Sequence, residues 1–346
     1  MKHVNIPVFI PHLGCPNQCI FCNQRYISGT TNFNESQVDE IINSVLSTVD
    51  SATECEIAFF GGSFTGIDRG LMIRLLEKAQ GYVNNGQAVG IRLSTRPDYI
   101  SEEIITILKK YTITCVELGI QSMNDKVLAG LKRGHTTLDT YNAARLLKEN
   151  NIRFGGQMMI GLPGATIEDE IYCANEICKM GAIGTRIYPT LVFKNTELEE
   201  ITKNGNYIPL SLEEAIERSA LVYKIFCDKN IQCYRIGLCE SDNLHSEDTY
   251  FAGPNSASIG EMVKSRVYFN EVSNLIYSTN STEGLRPQHL RERNPERPPS
   301  NSHGDWPFLR PQERVPEVPI VSREHLPQLD KIQEVLPSRR DEAHFR

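Results

Sequence analysis

The amino-acid sequence predicts an α/β protein built on a parallel sheet. Through residues 1–280, apolar and β-branched runs alternate with segments of helical periodicity, which is typical of six or more βα units. The chain has 346 residues, of which 40% are hydrophobic, so it can bury a large core. Because crossovers between parallel strands are right-handed, the alternation leaves a βα barrel or a doubly wound sheet as the fold.

The predicted elements follow one another in a regular order. Seven runs are predicted as strands: NIPVFIPH, CEIAFFGG, AVGIRLST, CVELGIQS, RFGGQMMIGLP, GTRIYPTLV and IQCYRIGL. Six segments of helical period lie between them: SQVDEIINSVLSTV, RGLMIRLLEKAQGYV, SEEIITILKKY, LDTYNAARLLKEN, IEDEIYCANEICKM and LEEAIERSALVYKIFCDK. We expect these helices to cover the sheet.

The composition changes sharply near residue 280. Residues 281–346 hold ten of the eighteen prolines, and ten arginines against one lysine. Prolines interrupt both helices and strands, so we expect this segment to be mostly disordered, with at most a short helix in LDKIQEVL. Residues 1–275 are expected to form the folded core with its C-terminal extension.

Charge and hydropathy exclude several classes of partner. The net charge of −7 gives no general attraction to nucleic acid or anionic lipid, and no apolar run approaches the ~18 residues of a membrane span. We therefore expect neither DNA nor a membrane as a partner. The N-terminus has no signal-peptide pattern, so the ten cysteines indicate a reducing, cytoplasmic setting.

Three cysteines follow the first predicted strand. Cys15, Cys19 and Cys22 have the spacing C-x3-C-x2-C, with Phe21 directly before the third. A zinc site completed by His12, or three buried thiols, would account for them in an ordinary way. An odd number of close thiols otherwise leaves one ligand position open on a bound metal group.

Most other unusual residues also follow predicted strands. Gly61, Gly62 and Ser63 follow the second strand, the segment STRPD follows the third, and Gln121 ends the fourth. In a βα barrel, the loops at the carboxyl ends of the strands carry the chemistry. These residues are therefore expected to share one rim of the fold.

The loop CPNQCIFC resembles the cluster-binding loop of radical S-adenosylmethionine (SAM) enzymes, and GGSF resembles their glycine motif after the second strand. The strings STRPD, ELGIQS, LKRGHT and QMMIGLPG resemble the radical domain of the Elongator catalytic subunit and its short bacterial relatives. The oxygen-independent coproporphyrinogen III oxidases are more distantly similar. The resemblance spans about residues 1–275 and implies a partial, six-stranded TIM-type βα barrel.

This resemblance implies two cofactors. Cys15, Cys19 and Cys22 would bind three irons of a [4Fe–4S] cluster, which leaves the fourth iron for SAM. An electron from the reduced cluster would cleave SAM to methionine and a 5′-deoxyadenosyl radical, which abstracts hydrogen from a substrate. The protein then positions the cofactors and excludes competing reactions.

The resemblance also implies SAM contacts at the rim. The backbone of Gly61 and Gly62 would meet the methionine group of SAM, while Ser63 stands where relatives often carry an acid. Ser94 stands where relatives often carry a Glu that contacts the ribose. These are cofactor-binding residues by resemblance, together with Phe21.

Three further SAM contacts lie on later elements. Gln121 and Arg133 keep the twelve-residue spacing of a Gln and an Arg that contact SAM in the coproporphyrinogen oxidase relatives. The Arg133 fork suits a carboxylate. Met159 is in register with an apolar residue that packs on adenine in relatives. Arg96 is expected to face either substrate or a structural carboxylate, and His135 is interpreted as a helix-entry residue.

Two functions follow from these observations. The first is a radical SAM enzyme that draws electrons from a reductant such as ferredoxin or flavodoxin, with tRNA as one candidate substrate. The second is a non-enzymatic iron–sulfur or zinc protein that uses the cysteine loop for sensing or partner binding. The Elongator catalytic subunit carries an acetyltransferase domain after its radical domain, where this chain has a proline-rich segment, so acetyl transfer is not expected. No catalytic side chain is assigned.

Overall fold

A computed structural model of the chain describes residues 3–10, 13–15, 19–23, 33–50, 52–238, 246 and 248–281, and the side chains of these residues up to 275. Nine strands are found in this part of the chain: β1 His3–Ile10, β2 Glu54–Gly61, β3 Gly90–Thr95, β4 Ile113–Gln121, β5 Phe154–Ile160, β6 Gly184–Pro189, β7 Val192–Phe193, β8 Gln232–Ile236 and β9 Tyr250–Ala252. Nine α-helices accompany them: α1 Val38–Leu46, α2 Arg69–Asn84, α3 Glu102–Leu108, α4 Asp125–Gly130, α5 Thr137–Glu149, α6 Ile167–Met180, α7 Glu197–Lys203, α8 Leu212–Asp228 and α9 Ile259–Ser281.

Seven of the strands form one sheet in the order β1-β2-β3-β4-β5-β6-β8, and every neighbouring pair is parallel. The sheet curls into a half-barrel with its helices around it, which confirms the predicted partial βα barrel. The strand predicted from IQCYRIGL is β8, and it adds a seventh strand to the six that the resemblance implies. The short strands β7 and β9 pair separately and antiparallel.

Sequence signals at the helix ends explain why the helices begin where they do. Thr136, Thr166 and Ser211 each form a capping box with the acid three residues later, before α5, α6 and α8. Asp68 and Ser101 cap α2 and α3 in the simpler way, with one side-chain oxygen accepting from a backbone N–H. All six helices predicted from periodicity are present.

The two faces of the sheet differ in chemistry. Ile57, Ile91 and Val116 belong to the apolar core. Their strand neighbours Glu56, Arg92 and Glu117 are buried as well, although they are charged. Because successive side chains along a strand point to opposite faces, these charges lie on the face away from that core. The concave side of the half-barrel is therefore polar.

The prediction of disorder in residues 281–346, and of a short helix in LDKIQEVL, falls almost wholly outside the described residues. The division of the chain near residue 280 stays a prediction. Within the part of the chain that the structure describes, every helix is too short or too polar to cross a lipid bilayer.

Candidate functional site

A cavity of about 2090 Å³ lies inside the half-barrel. All eleven residues predicted to bind a cofactor line it: Cys15, Cys19, Phe21, Cys22, Gly61, Gly62, Ser63, Ser94, Gln121, Arg133 and Met159. Ten of them come from the ends of four strands and from the cysteine loop, and Arg133 comes from the turn after α4. The structure therefore brings together every residue that the sequence singled out for this site.

The glycines after β2 make room for the cysteine loop. A Cβ on Gly62 would lie 2.3 Å from the Leu13 carbonyl oxygen, and a Cβ on Gly14 would lie 2.3 Å from that of Ser63. Gly61 has a φ of +109°, a conformation that glycine alone adopts readily. The loops after β1 and β2 thus touch backbone to backbone, and side chains at these positions would separate them.

Two elements that the sequence analysis missed hold the middle of the cysteine loop. The Ile20 N–H donates to the Leu131 carbonyl at 3.2 Å, just beyond α4, and the Leu198 N–H in α7 donates to the Ile20 carbonyl at 2.9 Å. Ile20 is buried among apolar side chains of both helices, and Phe21 and Met159 pack against the same cluster. Cys19 and Cys22 are thereby placed on either side of an anchored residue.

Each of two cysteine sulfurs has a polar neighbour. The Cys15 thiol approaches the Ser63 hydroxyl at 3.8 Å, and the Cys19 sulfur accepts from Nη1 of Arg133 at 3.4 Å. Among the described residues, no three Cys, His, Asp or Glu side chains converge on the position of one metal ion. A [4Fe–4S] cluster needs no such convergence, because each thiolate binds a different iron. His12, the proposed fourth zinc ligand, lies outside the described residues.

The end of β4 is irregular where it meets the cavity. The pairing of β4 with β5 shifts register between Gly119 and Gln121, and Gln121 has a φ of +66°. A Cβ on Gly119 would lie 2.7 Å from Nη2 of Arg133 and 3.1 Å from Nε2 of Gln121. A bulge of this kind re-aims a side chain, and strain at a non-glycine residue is characteristic of functional sites.

Four buried polar residues lie near the end of β4, and we call them the rim cluster: Arg96, Gln121, Arg133 and His135. The first three line the cavity. In the described part of the chain, no hydrogen-bond partner is found for Nη1 of Arg96, Oε1 of Gln121, Nε of Arg133 or either ring nitrogen of His135. Nη2 of Arg133 does donate to the Gly119 carbonyl at 2.8 Å. The unmatched atoms of the three cavity-lining residues are ones that a polar ligand would satisfy.

Arg96 and His135 are the two members of the rim cluster that are not among the predicted cofactor-binding residues. Arg96 is 2% exposed and donates two hydrogen bonds to the Asp98 carboxylate, at 2.9 and 2.7 Å. Asp98 is therefore the structural carboxylate that the sequence offered as one partner of Arg96. Arg96 also lines the cavity. Burial opposes its charge, but Asp98 and the nearby Cys19 raise the pKa of its guanidinium. Burial, and then the charge of Arg133, lower the pKa of His135 to about 4.

A second set of polar residues lies deeper in the half-barrel and was also missed. We call it the charged layer: Glu56, Arg92, Glu117 and Arg186. Glu117 accepts from Arg186 at 2.5 and 3.0 Å and from Arg92 at 3.1 Å. Arg92 also donates to Glu56 at 2.7 Å. Single charges within otherwise apolar strands were the available sequence signal.

The charged layer connects to the rim through one amide. Nε2 of Gln157 donates to Glu117 at 2.9 Å and to the Ser94 hydroxyl at 3.2 Å. Burial opposes ionisation of Glu117, but the hydrogen bonds and charge of Arg186, with Gln157 and Arg92, keep its pKa below the usual value. The cavity thus has an ionised layer below a rim of unmatched polar atoms.

Comparison with known proteins agrees with this architecture. The family model described as Radical SAM superfamily matches residues 9–174, and the Radical_SAM C-terminal domain matches residues 183–268. The chain belongs to the radical SAM superfamily. This membership confirms the resemblance and favours an enzyme over a non-enzymatic metal protein.

Among radical SAM relatives, the chain is 38% identical over 147 residues to the tRNA uridine(34) acetyltransferase of Methanocaldococcus jannaschii. It is 29% identical over 192 residues to human Elongator complex protein 3. These matches cover 41% and 50% of this chain but only 27% and 35% of the relatives. The chain thus spans only about a third of the length of these two relatives.

A solved structure supports the fold over a longer stretch. The Elp3 protein of the archaeon Methanocaldococcus infernus, with residues 1–46 deleted, superposes with a TM-score of 0.63 at 25% identity. The superposition covers 78% of this chain and 63% of that one. The half-barrel is therefore similar to the fold of this archaeal Elp3 protein.

Proposed function

We propose that this chain binds a [4Fe–4S] cluster through Cys15, Cys19 and Cys22 and uses it to cleave SAM reductively. The observation that carries the proposal is that all eleven predicted cofactor-binding residues line one cavity. When bound, the cluster supplies the electron that cleaves SAM to methionine and a 5′-deoxyadenosyl radical, which takes hydrogen from the substrate.

The unmatched atoms of the rim cluster fit the methionine group of SAM. Nε of Arg133 is a buried donor and Oε1 of Gln121 a buried acceptor, and neither has a partner among the described residues. A carboxylate would accept from Arg133, and an ammonium group would donate to Gln121. An unmatched buried polar group costs about 1–3 kcal/mol, so a ligand that pairs with both is favoured. Ser63 offers a hydroxyl to the same group.

Apolar residues of the rim would bind the rest of the cofactor. Phe21 and Met159 pack against one apolar cluster beside the cysteine loop and line the cavity, as expected for a surface that flanks adenine. Ser94 is held by Gln157 and presents its hydroxyl for the ribose. These walls also exclude water from the reacting atoms.

We take tRNA as the first substrate class to test, because two of the relatives are named for tRNA modification or as an Elongator protein. The acetyl transfer in the first name is not included in the proposal, since the match covers 27% of that relative. We keep a reducing, cytoplasmic setting and ferredoxin or flavodoxin as the electron donor within this proposal.

Anaerobic reconstitution tests the proposal directly. The chain is expected to take up about four irons and four sulfides, and to release 5′-deoxyadenosine when SAM and dithionite are added. Cys19→Ala is expected to abolish both. Cys227→Ala is the matched control, because Cys227 is exposed on α8, away from the cysteine loop.

Two further results decide between the alternatives. Stoichiometric zinc after anaerobic purification, with no iron uptake, would favour the zinc protein and overturn the proposal. If SAM is cleaved, unmodified tRNA is expected to accelerate 5′-deoxyadenosine formation. An unchanged rate would remove tRNA as the substrate and leave SAM cleavage in place.

A further inference from the structure

One contact of the rim cluster joins a predicted cluster ligand to an arginine. Nη1 of Arg133 lies 3.4 Å from the Cys19 sulfur, while Nη2 of the same guanidinium donates to the Gly119 carbonyl at 2.8 Å. Cys19 is 8% exposed and Arg133 is 9% exposed. The guanidinium is thus fixed between a strand backbone and a sulfur, in a place with little water.

The backbone around Arg133 fixes this contact from both sides. The Arg133 N–H donates to the Leu128 carbonyl at 3.0 Å, and the flanking Lys132 and Gly134 have φ of +53° and +78°. The Leu131 carbonyl in the same turn accepts from the N–H of Ile20, the residue after Cys19. One turn therefore carries the arginine and also holds the loop that carries the thiol.

A donor at this position has a definite effect on an iron–sulfur cluster. Reduction adds an electron to the cluster, so a cationic donor on a ligand sulfur stabilises the reduced state more than the oxidised state. Because Arg133 and Cys19 are both buried, salt and water screen this interaction only weakly. The buried guanidinium of Arg96 also interacts with Cys19. Its positive charge would likewise stabilise the reduced state of the cluster.

We propose that Arg133 is a positioning residue that hydrogen-bonds the Cys19 thiolate and raises the reduction potential of the cluster. The inference rests on the proposed function, since it requires a cluster on Cys19. It is distinct from binding the SAM carboxylate, for which Nε of Arg133 is the unmatched donor. One guanidinium would then contact both the cluster ligand and the cofactor.

The test is a potentiometric titration of the reconstituted chain without SAM. The electron paramagnetic resonance signal of the reduced cluster measures the extent of reduction at each potential. Arg133→Gln removes the charge, and its reduced-to-oxidised ratio at a fixed potential is expected to fall about tenfold, or about 59 mV for one electron. Arg133→Lys keeps the charge without the planar fork and should shift the potential less. Arg145→Gln, which removes an exposed arginine of α5, should match the wild type.

A wild-type potential in Arg133→Gln with a full cluster would overturn this inference and leave the proposed function intact. A wild-type chain that takes up no iron would overturn both. If Arg133→Gln does not fold, the wild type carrying ¹⁵N-guanidinium arginine replaces it. Electron-nuclear double resonance on its reduced cluster is expected to show a ¹⁵N coupling and an exchangeable deuteron, and their absence would equally overturn the inference.

Discussion

The charged layer and the rim cluster are both buried and both polar, yet they differ in how their polar atoms are matched. In the charged layer, Glu117 accepts hydrogen bonds from two arginines and Arg92 bridges two carboxylates. In the rim cluster, five side-chain nitrogen or oxygen atoms lack a hydrogen-bond partner among the described residues. A polar layer with matched charges serves the fold, whereas unmatched atoms lower stability unless a ligand binds them.

The two regions are also expected to respond differently to substitution. Removing one member of a matched, buried set leaves charges without compensation, which costs several kcal/mol. Removing an unmatched group costs the fold little and relieves strain where the backbone is unfavourable. Substitutions in the charged layer should therefore lower the free energy of unfolding more than substitutions in the rim cluster. Substitutions in the rim cluster should weaken SAM binding more than those in the charged layer.

The largest effect is expected at Glu117. Glu117→Ala should lower the free energy of unfolding by about 3–5 kcal/mol, because two buried guanidiniums lose a shared carboxylate. Urea denaturation measures the change. Glu103→Ala is the control, since Glu103 pairs with Arg69 at the surface, and such pairs contribute about 1 kcal/mol or less. Equal losses in the two variants would contradict a structural role for the charged layer.

The second effect is a pH dependence from His135. Its pKa is about 4 in the folded chain and 6.5 ordinarily, so the unfolded state binds its proton first as the pH falls. Stability from the neutral ring is present above pH 6.5 and is lost as the pH falls toward 4, by about 3 kcal/mol in total. His135→Phe should lack this loss. Urea denaturation at several pH values between 4 and 6.5 measures the free energy of unfolding of both chains. If this free energy falls equally in the wild type and in His135→Phe, His135 does not titrate in this way.

A smaller effect with opposite signs is expected at Gln121. Gln121→Gly removes a side chain from a left-handed backbone, so the free energy of unfolding should rise by up to about 1 kcal/mol. The same change should weaken SAM binding about fivefold, because one hydrogen bond is lost. Denaturation and calorimetry with the cluster-loaded chain measure the two quantities.

Asn151→Gly is the control for Gln121→Gly. Asn151 has a φ of +57° and follows α5, and asparagine tolerates this conformation. Its replacement should leave SAM affinity unchanged and alter stability by only a few tenths of a kcal/mol. An unchanged SAM affinity in Gln121→Gly would remove Gln121 from the cofactor site.

The smallest effect is expected from removing residues 278–346. Eleven basic and eleven acidic residues balance in positions 281–346, and proline is abundant there, so little folding energy or nucleic-acid attraction is predicted. A chain ending at Tyr277 should keep the cluster, SAM cleavage and the thermal midpoint of the full chain, because neither the charged layer nor the rim cluster is altered. A midpoint several degrees lower, or loss of RNA binding shown by the full chain, would assign this segment to the working enzyme.

The sequence determined the order of the seven sheet strands and of six of the nine α-helices, because periodicity and capping are local properties of neighbouring residues. It also determined that the predicted cofactor-binding residues share one rim, since parallel strands bring their carboxyl ends to the same edge. The elements α4, α7, α9, β7 and β9 were not predicted. The two strands, α4 and α7 are too short to show a period, and α4 and α7 are stabilised by packing against the cysteine loop. The 23-residue α9 is long enough, but its apolar residues do not gather on one helical face.

Only the tertiary structure decided which polar groups meet. Arg186 and Glu117 are 69 residues apart and Arg133 and Cys19 are 114 apart, so no local pattern relates them. Their contacts depend on strand register, on the bulge at Gly119 and on how the cysteine loop closes against α4. A charge within an apolar strand indicates that a partner is needed, but the partner is selected by the folded geometry.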